Sequence, residues 1–495
     1  MRKADTSNPK SIGKMHHHLV RLAPMALFTL VLGGCATGGA GAFPGLIGPP
    51  KVKSQASDAI ASFRDLPPPP AGDTAAWWAR FSDPILDTLV RDALTESLSV
   101  RQANQRVIES RNTGLSTIAG YAPRLNGVLS TDTNFVEEGP KLRTATGTEV
   151  GQQTNQSSAA RASWEVPLFG RGISAYVGAR ANDIGAKADL EAAKIAIIGD
   201  IAAAYVELRN AQLSVAYLQD DLVRAQRLAV AATARSNAGL ISLSEASQAQ
   251  GQAAAIGERL PDAILRARGA LDRLAILRGV MPGSLDQMLA PLDDFAFKTE
   301  APLVDAVPAN FIRRRLDVKR AEQNAVLAAA QVGISRADLY PSLSISGSIT
   351  QLTSLSGGAF TGRIRQGGVS PVLDIPLFAF GQRRAALTTS NARFQQALLQ
   401  YRSATLNAVA EGQAALTGYD QARNRAMAGL DTERAAGVRN NATRAAYDAG
   451  IVSLRDRLEA ERDFASARQT RLSTQAQYSE AAIGLYRTFA GAPGL

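Results

Sequence analysis

Ser342-Leu343-Ser344-Ile345-Ser346-Gly347-Ser348-Ile349 sets a serine at every second position and puts Leu343, Ile345 and Ile349 on the other face. A period of two is the signature of a β-strand, because successive Cβ atoms point to opposite sides of the pleat. The pattern recurs in Ala160–Leu168. There Ala160, Ala162, Trp164, Val166 and Leu168 share one face, and Arg161, Ser163 and Glu165 share the other. In a third segment Pro371, Leu373, Ile375 and Leu377 oppose Ser370 and Asp374, and Arg124–Thr131 alternates less cleanly. Each segment is roughly 9–11 residues, the length at which a tilted strand crosses a bilayer. A half-buried soluble sheet has the same period, but it would have to stand on two hairpins far apart in sequence. The stretches 132–157 and 354–367 are polar and contain glycine, and read as loops between paired strands. On the other side a sharp Pro-Leu-Phe turn, at 167–169 and 376–378, leads toward helix.

These landmarks occur twice in one order. Val100-Arg101-Gln102-Ala103 lies on Val318-Lys319-Arg320-Ala321, and at the same offset of 218 Pro123 lies on Pro341. Pro167-Leu168-Phe169 matches Pro376-Leu377-Phe378, and Gly170-Arg171 matches Gly381-Gln382 at an offset of 211. That offset then holds without gaps, setting Asp220 on Asp431, Gly239–Leu243 on Gly450–Leu454, and Pro282-Gly283 on Pro493-Gly494. A repeat of this kind has to be found before a fold is assigned. Each half has one plan: a helix of about two dozen residues, a strand pair, a very long helix, a Gly-led break and a second long helix.

The long helices are read from what is missing. Residues 173–237 and 383–449 contain no proline, and at ~1.5 Å per residue each spans roughly 100 Å. Their partners run from Ser242 to Leu260 and from Ser453 to Phe489. Ile195, Ile198, Ala202, Tyr205 and Leu208 keep helical spacing. Helices alone are equally compatible with a coiled-coil stalk.

Composition narrows the chemistry. The chain of 495 residues has one cysteine, Cys35, and three histidines, His16, His17 and His18. Residues 23–32 form a short apolar run after Arg21, followed by Gly33-Gly34-Cys35, which reads as a secretory signal. Leu-Gly-Gly-Cys resembles the bacterial lipobox, where the thiol takes a diacylglyceryl group before cleavage. By resemblance to sorted lipoproteins, Ala36 favours the outer membrane. Met15 would open a leader of ordinary length. Without residues 1–34 the chain has no histidine and no thiol beyond its first residue, which excludes Ser-His-Asp and Cys-His catalysis and His- or Cys-ligated zinc. The net charge of +10 falls to about +6 without those residues and includes no Lys/Arg block, so nucleic acid is not an expected partner. No run of 18 apolar residues suggests a spanning helix. Residues 36–75, with Pro67–Pro70, read as an extended tether.

Membrane-spanning strands must close into a barrel, since lipid leaves no backbone group unsatisfied. Four strands enclose no useful lumen; two copies would give eight, filled by side chains, and three would give twelve, enough for a pore. At this point the chain resembles the TolC/OprM family of outer-membrane efflux channels, over the span from Trp77-Trp78 to Pro493. The resemblance rests on Trp-Trp-x-x-Phe-x-Asp-Pro at 77–84, Arg314-Arg315-Leu316-Asp317-Val318 with Ala321-Glu322, both strand-to-helix turns, and the tips Asn237–Ser242 and Asp448–Ser453. It implies a mostly α chain with a small β part, a homotrimer, a twelve-strand barrel continued by a twelve-helix tunnel, and an equatorial belt drawn from 262–310 and the C-terminal region. The expected organisation is a signal peptide at 1–34, an acylated tether at 35–76, a first repeat at 77–283, a linker at 284–310 and a second repeat at 311–495. The lipobox and Trp-Trp opening look closer to the lipidated branch.

By the family's pattern the tips form the periplasmic gate. Gly239, Leu240, Ile241 and Ser242, with Gly450, Ile451, Val452 and Ser453, are the expected turns and adaptor contacts. Asp456 and Glu459 lie three apart on one helical face and are expected to ring the closed mouth, where like charges raise each other's pKa. An ordinary solvated acidic face is the plainer alternative. Glu245 and Tyr447 stand where family members have gate residues. Val452 replaces a basic latch residue, leaving Arg455, Arg457, or the apolar Ile451 and Leu454 for that role. Glu165 and Asp374 are expected to face the lumen, or else to form a barrel-base salt bridge with Arg171 or Arg383. The implied function is a non-enzymatic, passive conduit exporting small molecules, opened by a periplasmic adaptor joined to an inner-membrane pump of the RND type, with outer-membrane lipid around it and no cofactor or metal. A non-channel structural lipoprotein with a periplasm-spanning coiled coil is the alternative, and a carboxylate-based hydrolase comes third.

Overall fold

Alternation and proline-free length become one four-stranded antiparallel sheet and four long helices. The computed structural model describes residues 74–135, 152–292, 312, 314–356, 359–378 and 380–489. The chain divides into two compact units, Met1–Gly48 and Pro49–Leu495, and all described residues fall in the second. The leader, Cys35, the tether up to residue 73, residues 293–310 of the linker and Pro493-Gly494 lie outside the described residues.

The elements follow the repeat. A 3-10 turn, Thr74–Phe81, leads into α1 (Pro84–Glu96) and α2 (Leu98–Ala119), then β1 (Arg124–Phe135), β2 (Gln152–Val166), α3 (Arg171–Asn237) and α4 (Leu243–Arg278). The second half gives α5 (Leu316–Ala337), β3 (Ser342–Ser356), β4 (Ala359–Asp374), α6 (Phe380–Asp448) and α7 (Leu454–Phe489). Among the described helices none is long and apolar enough to cross a membrane.

The two hairpins are not separate. The sheet runs β1-β2-β3-β4, with Trp164 opposite Ile345 and Ile345 opposite Pro371. Register carries the alternation across all four strands. Leu125, Ala162, Gly347 and Val369 fall on one face, and Arg124, Ser163, Ser346 and Ser370 on the other. On the first face Leu125, Leu129, Ile349, Val369 and Leu373 are all exposed. The strands are longer than expected, 12 to 16 residues. The expected loop at 354–367 is largely strand: β3 and β4 are separated by two residues, and the ladder takes in Gly362 and Gly367 with one irregularity at Ser354/Leu355. Cross-strand backbone pairing outweighs the loop-like composition there.

Each strand continues into, or out of, a helix, and the helices keep the strand order. α2 packs on α3, α3 on α5 and α5 on α6; farther along, α4 packs on α3, α3 on α7 and α7 on α6. Strands and helices thus form one continuous wall. At the junction Arg171 pairs with Glu165 (3.3 Å) and Asp338 (3.1 Å), and Phe169 stacks on Tyr340 at 4.7 Å between ring centres. Phe169 and Gly170 both take positive φ, +52° and +79°, to turn the strand into α3. Gly381, aligned with Gly170 in the repeat, already lies inside α6.

One expectation is corrected on the return helix. The partner of α3 is expected to end at Leu260, yet α4 runs on through Pro261 to Arg278. An interior proline costs ~3 kcal/mol, but Ala253 and Ala263 on either side are buried, and tertiary packing of one face is what sustains most helices. Residues 262–278 are therefore α-helix as far as Arg278.

The largest core sits midway along α3. Trp77, Phe81, Leu86, Leu89 and Val90 pack on Ile197, Ile201, Tyr205 and Leu208, with Leu274 of α4 and Ile483 and Tyr486 of α7. The Trp-Trp-x-x-Phe-x-Asp-Pro opening is explained here. Trp77 stacks on Tyr486 at 5.1 Å and meets Phe81 edge-on. Asp83 caps α1 by accepting from the Ile85 and Leu86 amides, and it also accepts the Tyr205 hydroxyl at 2.7 Å. Pro84 occupies the first helical turn, where a missing N–H costs nothing.

Candidate functional site

Both hairpin tips are built by the same local chemistry. Gly239 and Gly450 take φ +73° and +74° with no atom within 4 Å of where a Cβ would stand. The requirement is therefore backbone handedness and not space. Three residues on, a serine restarts the helix. Ser242 accepts from the Glu245 amide, and the Glu245 carboxylate accepts the Ser242 amide at 2.9 Å, a complete capping box. Ser453 and Asp456 repeat it: the Ser453 amide and hydroxyl donate to Asp456 Oδ2 at 3.0 and 2.6 Å, and the Asp456 amide donates back at 3.2 Å.

Glu245 and Asp456 thus hold their own helix starts. Within one chain the Ser453 hydroxyl and amide, helped by Arg455 and Arg439, hold the exposed Asp456 carboxyl below the usual aspartate range. The rise expected from like charges requires neighbouring copies of the chain. The Ser-x-x-Glu and Ser-x-x-Asp spacings were visible signals for this role.

Glu459 is half exposed one turn farther along α7. It lies 3.8 Å from Arg439 of α6, which also pairs with Asp463 at 2.7 Å. Asp456, Glu459 and Asp463 share this face of α7 by their spacing.

Tyr447 joins the two hairpins. Arg235, at the end of α3, donates to its hydroxyl at 2.7 Å. The Arg457 guanidinium sits 4.9 Å from the Tyr447 ring centre and Arg235 5.6 Å. Arg457 is itself fixed by Asp448 (3.1 Å) and Glu461 (3.4 Å). Beneath this cluster Leu454 and Leu458 are buried against Ala225, Leu228, Ala229 and Ala232 of α3 and Ala246 and Ala249 of α4, with Ile241 and Tyr447 at the rim. Of the alternatives for a latch, Arg457 and Leu454 take part in this packing, while Ile451 is exposed. Leu240 and Leu243 are exposed as well, so each tip presents an apolar residue to solvent. Arg235 was not singled out from sequence. It lies 212 positions from Tyr447, and no local pattern marks it.

Glu165 and Asp374 lie on the polar face of the sheet with Ser344 and Ser342 opposite them. Glu165 also makes the basal ion pair with Arg171, so the two readings offered for it coexist. Asp374 has no ion pair among the described residues.

A family described as "Outer membrane efflux protein" matches residues 89–280 and 307–491. Nodulation protein T of Rhizobium leguminosarum bv. viciae is 28% identical over 462 residues, covering 91% of this chain and 89% of that protein. The cation efflux system protein CusC of Escherichia coli (strain K12) is 27% identical over 429 residues, covering 84% and 89%. The solved outer-membrane channel OprN superposes with a TM-score of 0.73 at 25% identity, over 88% of this chain and 95% of that one.

Proposed function

Since the chain belongs to the outer membrane efflux protein family, we propose that it is the outer-membrane channel of a tripartite efflux system, a passive conduit carrying small molecules from the periplasm to the exterior. One observation carries the reading. Among the described residues the sheet has an exposed apolar face, a polar face and two unpaired edges, β1 and β4, and every strand continues into the helical wall in the same lateral order. Lipid would cover the apolar face. Edges cannot persist in a bilayer, so β4 of one copy pairs with β1 of the next. Three copies close twelve strands and continue into twelve helices.

In that assembly Glu165 and Asp374 face the lumen and the tips form the periplasmic mouth. Asp456 and Glu459 contribute fixed negative charge around it, and Glu245 secures the neighbouring turn. The Arg235–Tyr447–Arg457 cluster ties the two hairpins of each copy together and keeps the mouth narrow. The exposed residues Leu240 and Ile451, on turns made by Gly239-Leu240-Ile241-Ser242 and Gly450-Ile451-Val452-Ser453, meet a periplasmic adaptor that joins the channel to an inner-membrane pump of the RND type. Cys35 carries the lipid anchor. Residues 77–283 and 311–495 act as the two structural repeats, joined by 284–310.

Purified protein in planar bilayers is expected to give discrete single-channel currents and a native mass of three copies. Trimers that insert without conducting would refute the conduit, and a conducting monomer would refute the closure.

A further inference from the structure

The apolar face of the sheet changes character toward the end far from the helices. Along β4 this face reads Leu373, Pro371, Val369, Gly367, Arg365, Arg363, by the register that sets Leu373 on Leu343 and Arg365 on Gln351. Leu373 to Arg365 is eight residues, about 26 Å at ~3.3 Å per residue and about 20 Å along the membrane normal at a ~40° tilt. Exposed Ile375, Leu377 and Phe378 extend the apolar surface below. The arginines therefore stand at the upper limit of a ~25 Å apolar band.

Their described neighbours on this face are neutral. Gln351 and Ser158 share the level of Arg365, and Thr353 and Gln156 that of Arg363. Arg365 Nη2 donates to Gln351 Oε1 at 3.0 Å, and Arg363 lies 6.0 Å from the ring centre of Phe360. No carboxylate pairs with either arginine among the described residues. Two guanidinium groups two positions apart on one strand face, above hydrocarbon and beside an exposed aromatic, match a phosphate carried at the head of an acyl lipid. Guanidinium binds phosphate through two parallel N–H donors, which glutamine cannot replace.

We infer that Arg363 and Arg365 form a binding site on the outer surface of β4 for the phosphate of an outer-leaflet glycolipid of the lipid A type. The site rests on the reading that these strands span the outer membrane. It fixes the vertical seat of the sheet, because the lipid phosphate sets the height at which the arginines come to rest.

The test uses the full chain purified in detergent, with lipid A carrying its phosphates and the same lipid dephosphorylated as probes, bound lipid being counted by native mass spectrometry. At about five-fold per arginine near an anionic surface, the phosphorylated form is expected to bind about twenty-five-fold tighter. Arg363→Gln with Arg365→Gln removes that preference. The double lysine variant keeps part of it. Arg161→Gln, on the opposite face, leaves it intact. Loss of the preference in Arg161→Gln, or its survival in the double glutamine variant, overturns the site. So does inorganic phosphate displacing the lipid at equal concentration, because the acyl chains would then contribute nothing. Insertion and conductance are measured on the same preparations. A protein that conducts without preferring the phosphorylated lipid sinks this site alone, whereas one that fails to insert sinks the channel reading with it.

Discussion

Truncating Tyr447 should open the mouth in two measurable steps. Its hydroxyl accepts a hydrogen bond from Arg235 at 2.7 Å, and its ring lies under the guanidinium groups of Arg457 at 4.9 Å and Arg235 at 5.6 Å. The cluster is solvent-accessible, so the hydrogen bond is worth about 1 kcal/mol net and the ring contacts about another 1 kcal/mol. Tyr447→Phe removes the first and keeps the second. In the proposed trimer that shifts the closed-to-open ratio about five-fold per copy, and by roughly a hundred-fold if the three copies act independently. Tyr447→Ala removes both and shifts it about thirty-fold per copy. Open probability in planar bilayers reads these ratios directly. Combining Arg235→Ala with Tyr447→Phe should be strongly non-additive, because both remove one hydrogen bond. If Tyr447→Ala changes open probability by less than two-fold, the cluster does not hold the mouth closed, and the tip residues serve packing alone.

Three further outcomes are expected. Gly450→Val should cost about 1–3 kcal/mol through its positive φ, since a Cβ there meets nothing, and it should impair export in cells. Gly450→Asn, which tolerates that conformation, should be nearly silent, and equal effects of the two would point to a side-chain clash instead. Trp77→Ala should lower stability by about 3–5 kcal/mol, because the ring is buried between Phe81 and Tyr486; an unchanged thermal midpoint would contradict the packing. Glu480 is raised in pKa by burial first and by Glu207 second, against Arg273. A carboxyl raised in the folded state binds its proton more tightly there, so its protonation favours the fold. That contribution is fully present below the unfolded value and is lost as pH rises through the folded one. Glu480→Gln should therefore raise the melting temperature at neutral pH, with the gain shrinking as pH falls toward the ordinary glutamate value. A gain independent of pH would refute the titration argument.

Local physics was legible from the sequence alone. Serine alternation at 342–349 fixed a strand because side-chain direction in an extended chain depends on nothing beyond its neighbours. Proline-free stretches gave α3 and α6 for the same reason, and Gly239 and Gly450 marked the turns because only handedness was at issue. The repeated landmarks exposed the duplication. Composition removed histidine and thiol chemistry from everything after Cys35. The capping boxes at Ser242–Glu245 and Ser453–Asp456 are equally local, because each serine and its carboxylate stand three residues apart.

Long-range contact decided the rest. That β2 pairs with β3, joining two hairpins into one sheet, depends on which edges meet, and serine-leucine alternation suits any neighbour. Pro261 stays helical because α3 holds both sides of it, a favourable term that a helix considered alone does not contain. Arg235 reaches Tyr447 only because α3 and α6 end at the same level, after each has run nearly seventy residues from β2 and β4 of one sheet. Sequence sets the period and length of each element through interactions a few residues apart. Lateral order, and with it the apolar face, the paired edge and the tip cluster, comes from burial shared between segments hundreds of residues apart, where no local pattern records the partner.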